Sequence, residues 1–248
     1  MKRFAGSERA RDLLALAAVA GIIIVLFSDV VFAGANFFRR DFAAFYWPVK
    51  FVVREVVRGG GFPFWNPMVA GGQPLAANPE HELFYPLTWL TFFFEYELAL
   101  RAFVMAHFLI AAAGTFALLR SLATSRLVAA FGALAFVLGG VWLSLLHLLP
   151  YLLIATWLPF VLLFLIRFLE EPSRRSFAVC ALLMGIQALV GEPMTLVHSW
   201  ILYLVCSVAY VTKLTLLRRL GCTALMIACG GGVAAYSACD VVAERVEG

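Results

Sequence analysis

Leu98-Ala99-Leu100-Arg101-Ala102-Phe103-Val104-Met105-Ala106-His107-Phe108-Leu109-Ile110-Ala111-Ala112-Ala113-Gly114-Thr115-Phe116-Ala117-Leu118-Leu119 is apolar except at Arg101, His107 and Thr115. A helix that crosses a bilayer needs about 20 mostly apolar residues, and this stretch has that length. Similar runs lie near 12–33, 127–146, 150–169, 176–191, 194–212 and 220–238. The pattern predicts an all-α integral membrane protein with about seven transmembrane helices. The 176–191 run is short, and the last run carries Gly230, Gly231 and Gly232, so these two carry the least weight.

The composition agrees. Of 248 residues, 63% are hydrophobic and 14% charged, and the mean hydropathy is +0.93. A soluble domain is near half apolar and about a quarter charged, so an ordinary soluble enzyme, a disordered chain and a disulfide-rich module are all excluded. The net charge of +4 does not indicate a nucleic-acid partner, because the basic residues stand at the ends of apolar runs. Cys180, Cys206, Cys222, Cys229 and Cys239 show no CxxC pair and read as small apolar residues. The first run follows Lys2, Arg3, Arg9 and Arg11, and Ala33-Gly34-Ala35 resembles a cleavage site, but the run is too long for a signal core and reads as an uncleaved helix.

Basic residues set the expected orientation. With the N-terminus inside, the inner segments hold Lys2, Arg3, Arg9, Arg11, Arg120, Arg126, Arg167, Arg174, Arg175, Lys213, Arg218 and Arg219, and the short outer turns near 147–150 and 191–193 hold none. The positive-inside rule then predicts a cytoplasmic N-terminus and an outer segment from about 35 to 97. The whole chain, 1–248, reads as a single polytopic membrane domain.

The outer segment is the only long break in the apolar pattern. Pro48 suits the first turn of a helix. Val49, Val52, Val53, Val56 and Val57 share one helical face, and Lys50, Arg54 and Arg58 share another. This predicts an amphipathic juxtamembrane helix, apolar toward the membrane and basic toward headgroups, ended by Gly59-Gly60-Gly61. The β-branched valines leave an edge strand as the alternative. From Phe62 to Trp89 the prolines and glycines exclude a long regular element.

The order of motifs here carries a resemblance: Asp41 just after the first helix, Trp47-Pro48, the basic helix, Pro63-Phe64-Trp65-Asn66-Pro67, Gly71-Gly72-Gln73-Pro74-Leu75 and Phe84-Tyr85-Pro86-Leu87-Thr88-Trp89. It resembles the first outer loop of YfhO-like bacterial membrane proteins in the GT-C glycosyltransferase superfamily. His147 before Pro150, Ala155-Thr156-Trp157-Leu158-Pro159 and Gly191-Glu192-Pro193 extend the likeness over roughly residues 10–212. The resemblance implies a multi-pass protein of the bacterial inner membrane. It would transfer sugar from a polyprenyl-phosphate donor to a cell-envelope acceptor on the outer face, with the first-loop acid as catalytic base. Only Asp41 stands at that position. The family's chains usually run longer, so this chain also reads as a truncated relative.

The residues fit that chemistry. A carboxylate can take the proton of a sugar hydroxyl, and a leaving lipid phosphate needs cationic donors, for which Arg39, Arg40, Lys50, Arg54 and Arg58 lie within reach in sequence. Each has a plainer role. Asp41 could pair with Arg39 or Arg40 or cap a helix, and the arginines could simply anchor the chain at headgroups. Glu80, His81 and Glu82 could hold a divalent cation, no other cofactor being indicated; Glu192 and His147 could face the same outer cavity. His107 falls within a span, where a neutral ring bonded to a neighbouring helix is the plainer reading. The expected partners are a lipid-linked sugar donor and membrane lipids. A transporter or flippase component and a non-catalytic membrane partner are the competing functions.

Overall fold

The computed structural model describes residues 2–37, 40–69 and 71–243; for 2–7, 233–234 and 236–243 only the backbone is described. The chain is all-α, 77% helical. Helix α1 is Lys2–Leu26, followed by the short α2, Ser28–Val31. In the outer segment α3 spans Trp47–Arg58. Then come α4 (Tyr96–Ser121), α5 (Arg126–Leu138), α6 (Gly140–Ser144), α7 (Leu149–Glu170), α8 (Arg174–Ala188), α9 (Pro193–Ala209) and α10 (Leu216–Ala243). Among the described residues three stretches are long and apolar enough to cross a membrane: Tyr96–Ser121, Arg126–His147 and Leu149–Glu170.

Local chemistry sets the helix starts. Glu95 caps α4 by accepting from the backbone N–H groups of Glu97 and Leu98, at 3.0 and 2.8 Å. Ser125 and Ser173 cap α5 and α8 in the same way. Glu192 caps α9, accepting from Met194 and Thr195 at 3.0 and 2.6 Å, with Pro193 in the first turn. Each cap answers backbone donors that the helix itself leaves open. Two apolar runs differ from the sequence expectation. The 12–33 run is interrupted at Phe27, and the 127–146 run breaks at Gly139, whose backbone is extended (ψ 149°). A side chain at Gly139 would press on the Ala135 carbonyl at 2.7 Å, so glycine is required where α5 turns into α6.

Between α3 and α4 the chain holds only a two-residue antiparallel ladder, Trp65–Asn66 against Gln73–Pro74, and 3-10 turns at Pro79–His81 and Pro86–Phe92. Two apolar cores meet along α7. One joins α1, α4, α5 and α7 to Phe42, Tyr46 and Tyr85 of the outer segment. The other joins α7 to α8, α9 and α10. At one end of the bundle, Asp12 pairs with Arg120 and Arg126 at 3.2 and 2.7 Å, and Glu8 also pairs with Arg126, which ties α1 to the α4–α5 turn. At the other end Asn36 donates to Glu97 at 3.3 Å.

Glycine also lets α8 and α10 approach closely. A Cβ at Gly230 would stand 2.7 Å from the Gly185 backbone nitrogen and 2.9 Å from the Ala181 carbonyl. Small residues let apolar helices approach this closely. Gly232 on the same helix faces open space. Gly230→Ala is therefore expected to part α8 from α10 and cost about 1–3 kcal/mol. Gly232→Ala should be neutral or stabilising, since alanine is the better helix former by about 1 kcal/mol. Thermal unfolding of both variants in detergent checks this; equal midpoints would refute the close-contact role.

Candidate functional site

Asp41 stands at the head of a π-helical turn, Phe42–Tyr46, which runs directly into α3. Arg40 before it adopts φ 46°, in the left-handed region. A π turn carries one extra residue per turn and is found disproportionately at functional sites. Here it sends Phe42 and Tyr46 into the core while Asp41 stays exposed. The Asp41 carboxylate makes no capping bond, and among the described residues it has no ion-pair partner. Neither Arg40 pairing nor helix capping therefore occupies it.

Tyr46, at the other end of the π turn from Asp41, is the meeting point of several ionisable groups. Burial pushes the Tyr46 phenol above its ordinary range, and the charges of Glu80, Glu82 and Asp41 add to that push. Glu192 and Glu80 both lie within electrostatic reach of the Tyr151 hydroxyl at the start of α7. The α8–α9 turn touches the outer loop directly: Gly191 (φ 84°) lies against Pro79, and any side chain there would collide with the Pro79 carbonyl. Asp41, Tyr46, Glu80, Tyr151 and Glu192 thus belong to one neighbourhood, drawn from the outer segment, α7 and the start of α9. Glu192 is buried and spends both carboxylate oxygens on the α9 cap. His147 sits to one side, lining a cavity of about 450 Å³ with Arg40, Asn36 and Ser144.

The cations are arranged differently from the sequence expectation. Lys50 and Arg54 do not face outward with Arg58; they turn inward with Val49 and Val53, and Arg58 is exposed. Lys50 is 3% exposed, forms an ion pair with Glu82, and lies 5.3 Å from the centre of the Phe103 ring. Arg54 donates to Glu55 at 2.7 Å and to the Phe94 carbonyl at 2.6 Å, and stacks on Tyr96. The physical reason is that the outer loop supplies a buried carboxylate and a carbonyl that the helix pattern alone does not reveal. Arg40 is exposed; Arg39 lies outside the described residues.

Glu80, His81 and Glu82 do not converge on a common point. His81 Nδ1 donates to the Leu75 carbonyl at 2.9 Å, and its Nε2 accepts from the Asn78 amide at 3.2 Å. The Asn78 orientation is fixed because its oxygen accepts from the Glu80 N–H at 3.0 Å. Glu82, in the left-handed region at φ 54°, ends the 3-10 turn with its carboxylate fully buried against Lys50. Burial drives the Glu82 carboxyl above its ordinary range, and Lys50 opposes that shift. Among the described residues no group of three His, Cys, Asp or Glu side chains could hold a metal ion.

A second buried network went unforeseen. Trp157 Nε1 donates to the Tyr85 hydroxyl at 2.8 Å, and that hydroxyl meets His107 Nε2 at 2.7 Å. His107 Nδ1 lies 2.6 Å from the Phe103 carbonyl. The carbonyl can only accept, so Nδ1 carries the proton and Nε2 takes the one from Tyr85. The loop is therefore bonded at once to α4 and α7. A histidine within a span and a tyrosine in the Phe84-Tyr85-Pro86 corner were the available signals; their pairing was not. Comparisons with family models, with curated proteins and with solved structures gave no match.

Two outcomes follow. Glu82→Leu strands Lys50 as an uncompensated buried charge, a loss of about 3–5 kcal/mol, whereas Lys50→Met with Glu82→Leu should recover most of it; thermal unfolding of the single and double variants measures the difference. His81 responds to pH. Burial, and then Lys50, hold its ring below the ordinary 6.5, and a second ring proton would point at the Asn78 amide donor. Below pH 6.5 the unfolded chain takes up a proton that the folded loop resists, so stability falls as pH drops from there toward the folded value. His81→Gln should flatten this acid limb in unfolding midpoints; an unchanged limb would assign it elsewhere.

Proposed function

We propose that this chain is a membrane-embedded, GT-C-type glycosyltransferase related to the YfhO-like proteins. It takes sugar from a polyprenyl-phosphate donor at the outer face of the bacterial inner membrane, with Asp41 as general base. The observation that carries the reading is Asp41, exposed at the head of a π turn and with no ion-pair partner among the described residues, next to Tyr46, on which Glu80 and Tyr151 also act. A carboxylate with no partner among the described residues remains available to a substrate hydroxyl.

Membrane insertion is supported by the exterior. The Arg126–His147 stretch is only 22% buried within the protein, and Leu127, Phe131 and Val141 are each more than two-thirds exposed. An apolar surface of that kind needs a lipid cover. Seven spans result if α1 with α2, and α5 with α6, each count once, joined by α4, α7, α8, α9 and α10. Arg120, Arg126, Arg167, Arg174, Arg175, Lys213, Arg218 and Arg219 then share one face, opposite Asp41, which favours a cytoplasmic N-terminus. With Lys50 and Arg54 engaged internally and Arg58 at the far end of α3, the donor phosphate falls to Arg40.

Asp41→Asn should lower sugar transfer from a polyprenyl-phosphate sugar in proteoliposomes by about 10²–10⁴-fold, with protein abundance unchanged. Glu80→Gln, which keeps the loop backbone, serves as the comparison. Transfer at the parent rate in Asp41→Asn would sink the base assignment.

A further inference from the structure

At the end of the bundle opposite Asp41, an open pocket of about 300 Å³ lies between the α7–α8 turn and the start of α10. Its rim carries Arg174 and Arg218, and its floor is apolar, formed by Phe168, Phe177, Leu214 and Cys222. Both arginines are exposed, and neither has a carboxylate partner among the described residues. The neighbouring acids do not neutralise them: Glu170 accepts from the Tyr210 hydroxyl at 2.5 Å, and Glu171 is exposed in the turn. Arg219, one residue on, is committed to the Val208 and Tyr210 carbonyls and is buried. Arg174 and Arg218 are the cations that line the pocket itself; Arg175 and Lys213, also exposed, add positive charge to the same corner.

We infer that this pocket binds one anionic phospholipid, with the headgroup phosphate between Arg174 and Arg218 and the start of an acyl chain over Phe168, Phe177 and Leu214. The combination decides the ligand class. Two planar guanidinium groups fit a phosphate diester, and an apolar floor directly below them rejects a small hydrated anion but accepts a hydrocarbon chain. Basic pockets between spanning helices at the cytoplasmic side meet an anionic leaflet. The site joins α7, α8 and α10, so an occupied pocket also braces the second apolar core. The inference rests on the membrane reading above, but not on sugar transfer.

The test uses the full chain in mild detergent. Native mass spectrometry with added phosphatidylglycerol should show one retained lipid, and phosphatidylcholine should not be retained. Arg174→Gln with Arg218→Gln should weaken phosphatidylglycerol binding roughly thirty-fold, about fivefold per charge. Arg174→Lys with Arg218→Lys should keep most of it. All four substitutions are at exposed positions, so folding is preserved and is checked by thermal unfolding. Equal retention of phosphatidylcholine, unchanged binding by the glutamine variant, or displacement of the lipid by inorganic phosphate would overturn the assignment. Flotation with phosphatidylcholine vesicles separates the two readings: a chain that floats but shows no phosphatidylglycerol preference loses only the lipid site, and one that fails to float loses both.

Discussion

The ion pair between Lys50 and Glu82 holds the outer segment in place. Both side chains are almost wholly excluded from solvent, so each charge is tolerated only because the other is there. Desolvating an unpaired charge costs far more than any single apolar contact returns. The pair therefore acts as a register constraint. Helix α3 can sit against the 78–92 loop in only one way, because sliding by a residue would leave both charges stranded. The aromatic ring of Phe103 beneath Lys50 extends the same constraint to α4.

The position of Asp41 follows from that lock. The π turn runs without interruption into α3, so fixing Lys50 on α3 also fixes Tyr46 one turn earlier and Asp41 at the turn's head. Tyr85 supplies the second fastening, through His107 on α4 and Trp157 on α7. Two separate polar connections, an ion pair and a chain of neutral hydrogen bonds, leave the loop little freedom to rotate about either.

The helices were legible in the sequence because apolar length is local. Most of the apolar runs end within a few residues of the observed helices, although α1 begins ten residues before its run, and the caps at Glu95, Ser125, Ser173 and Glu192 emerged only from the structure. The breaks at Phe27 and Gly139 were harder to read, because an uninterrupted apolar run does not register a change in backbone direction. The outer segment divides in the same way. Its irregularity was evident from Pro63, Pro67, Pro74, Pro79 and Pro86, whereas its contacts were not. Helical periodicity placed Lys50 and Arg54 on a polar stripe, but a stripe does not say whether it faces water or a carboxylate more than 30 residues away. Only the tertiary fold brings Glu82 to Lys50 and Phe94 to Arg54.

That inward turn changes the electrostatics of the surface that carries Asp41. With Lys50 and Arg54 turned inside, Arg40 is the exposed cation next to Asp41 among the described residues. For the proposed reaction, a carboxylate acting as base would gain from having few cations pressed against it, whereas an anionic donor would need cations nearby. Arg40, turned out of the helical path by its left-handed backbone and opening onto the cavity shared with His147 and Ser144, is placed beside Asp41 without pairing to it. Lys50 and Arg54 lie further along α3 and are committed inward, to Glu82 and to the Phe94 carbonyl, so neither adds an exposed charge to the surface that carries Asp41.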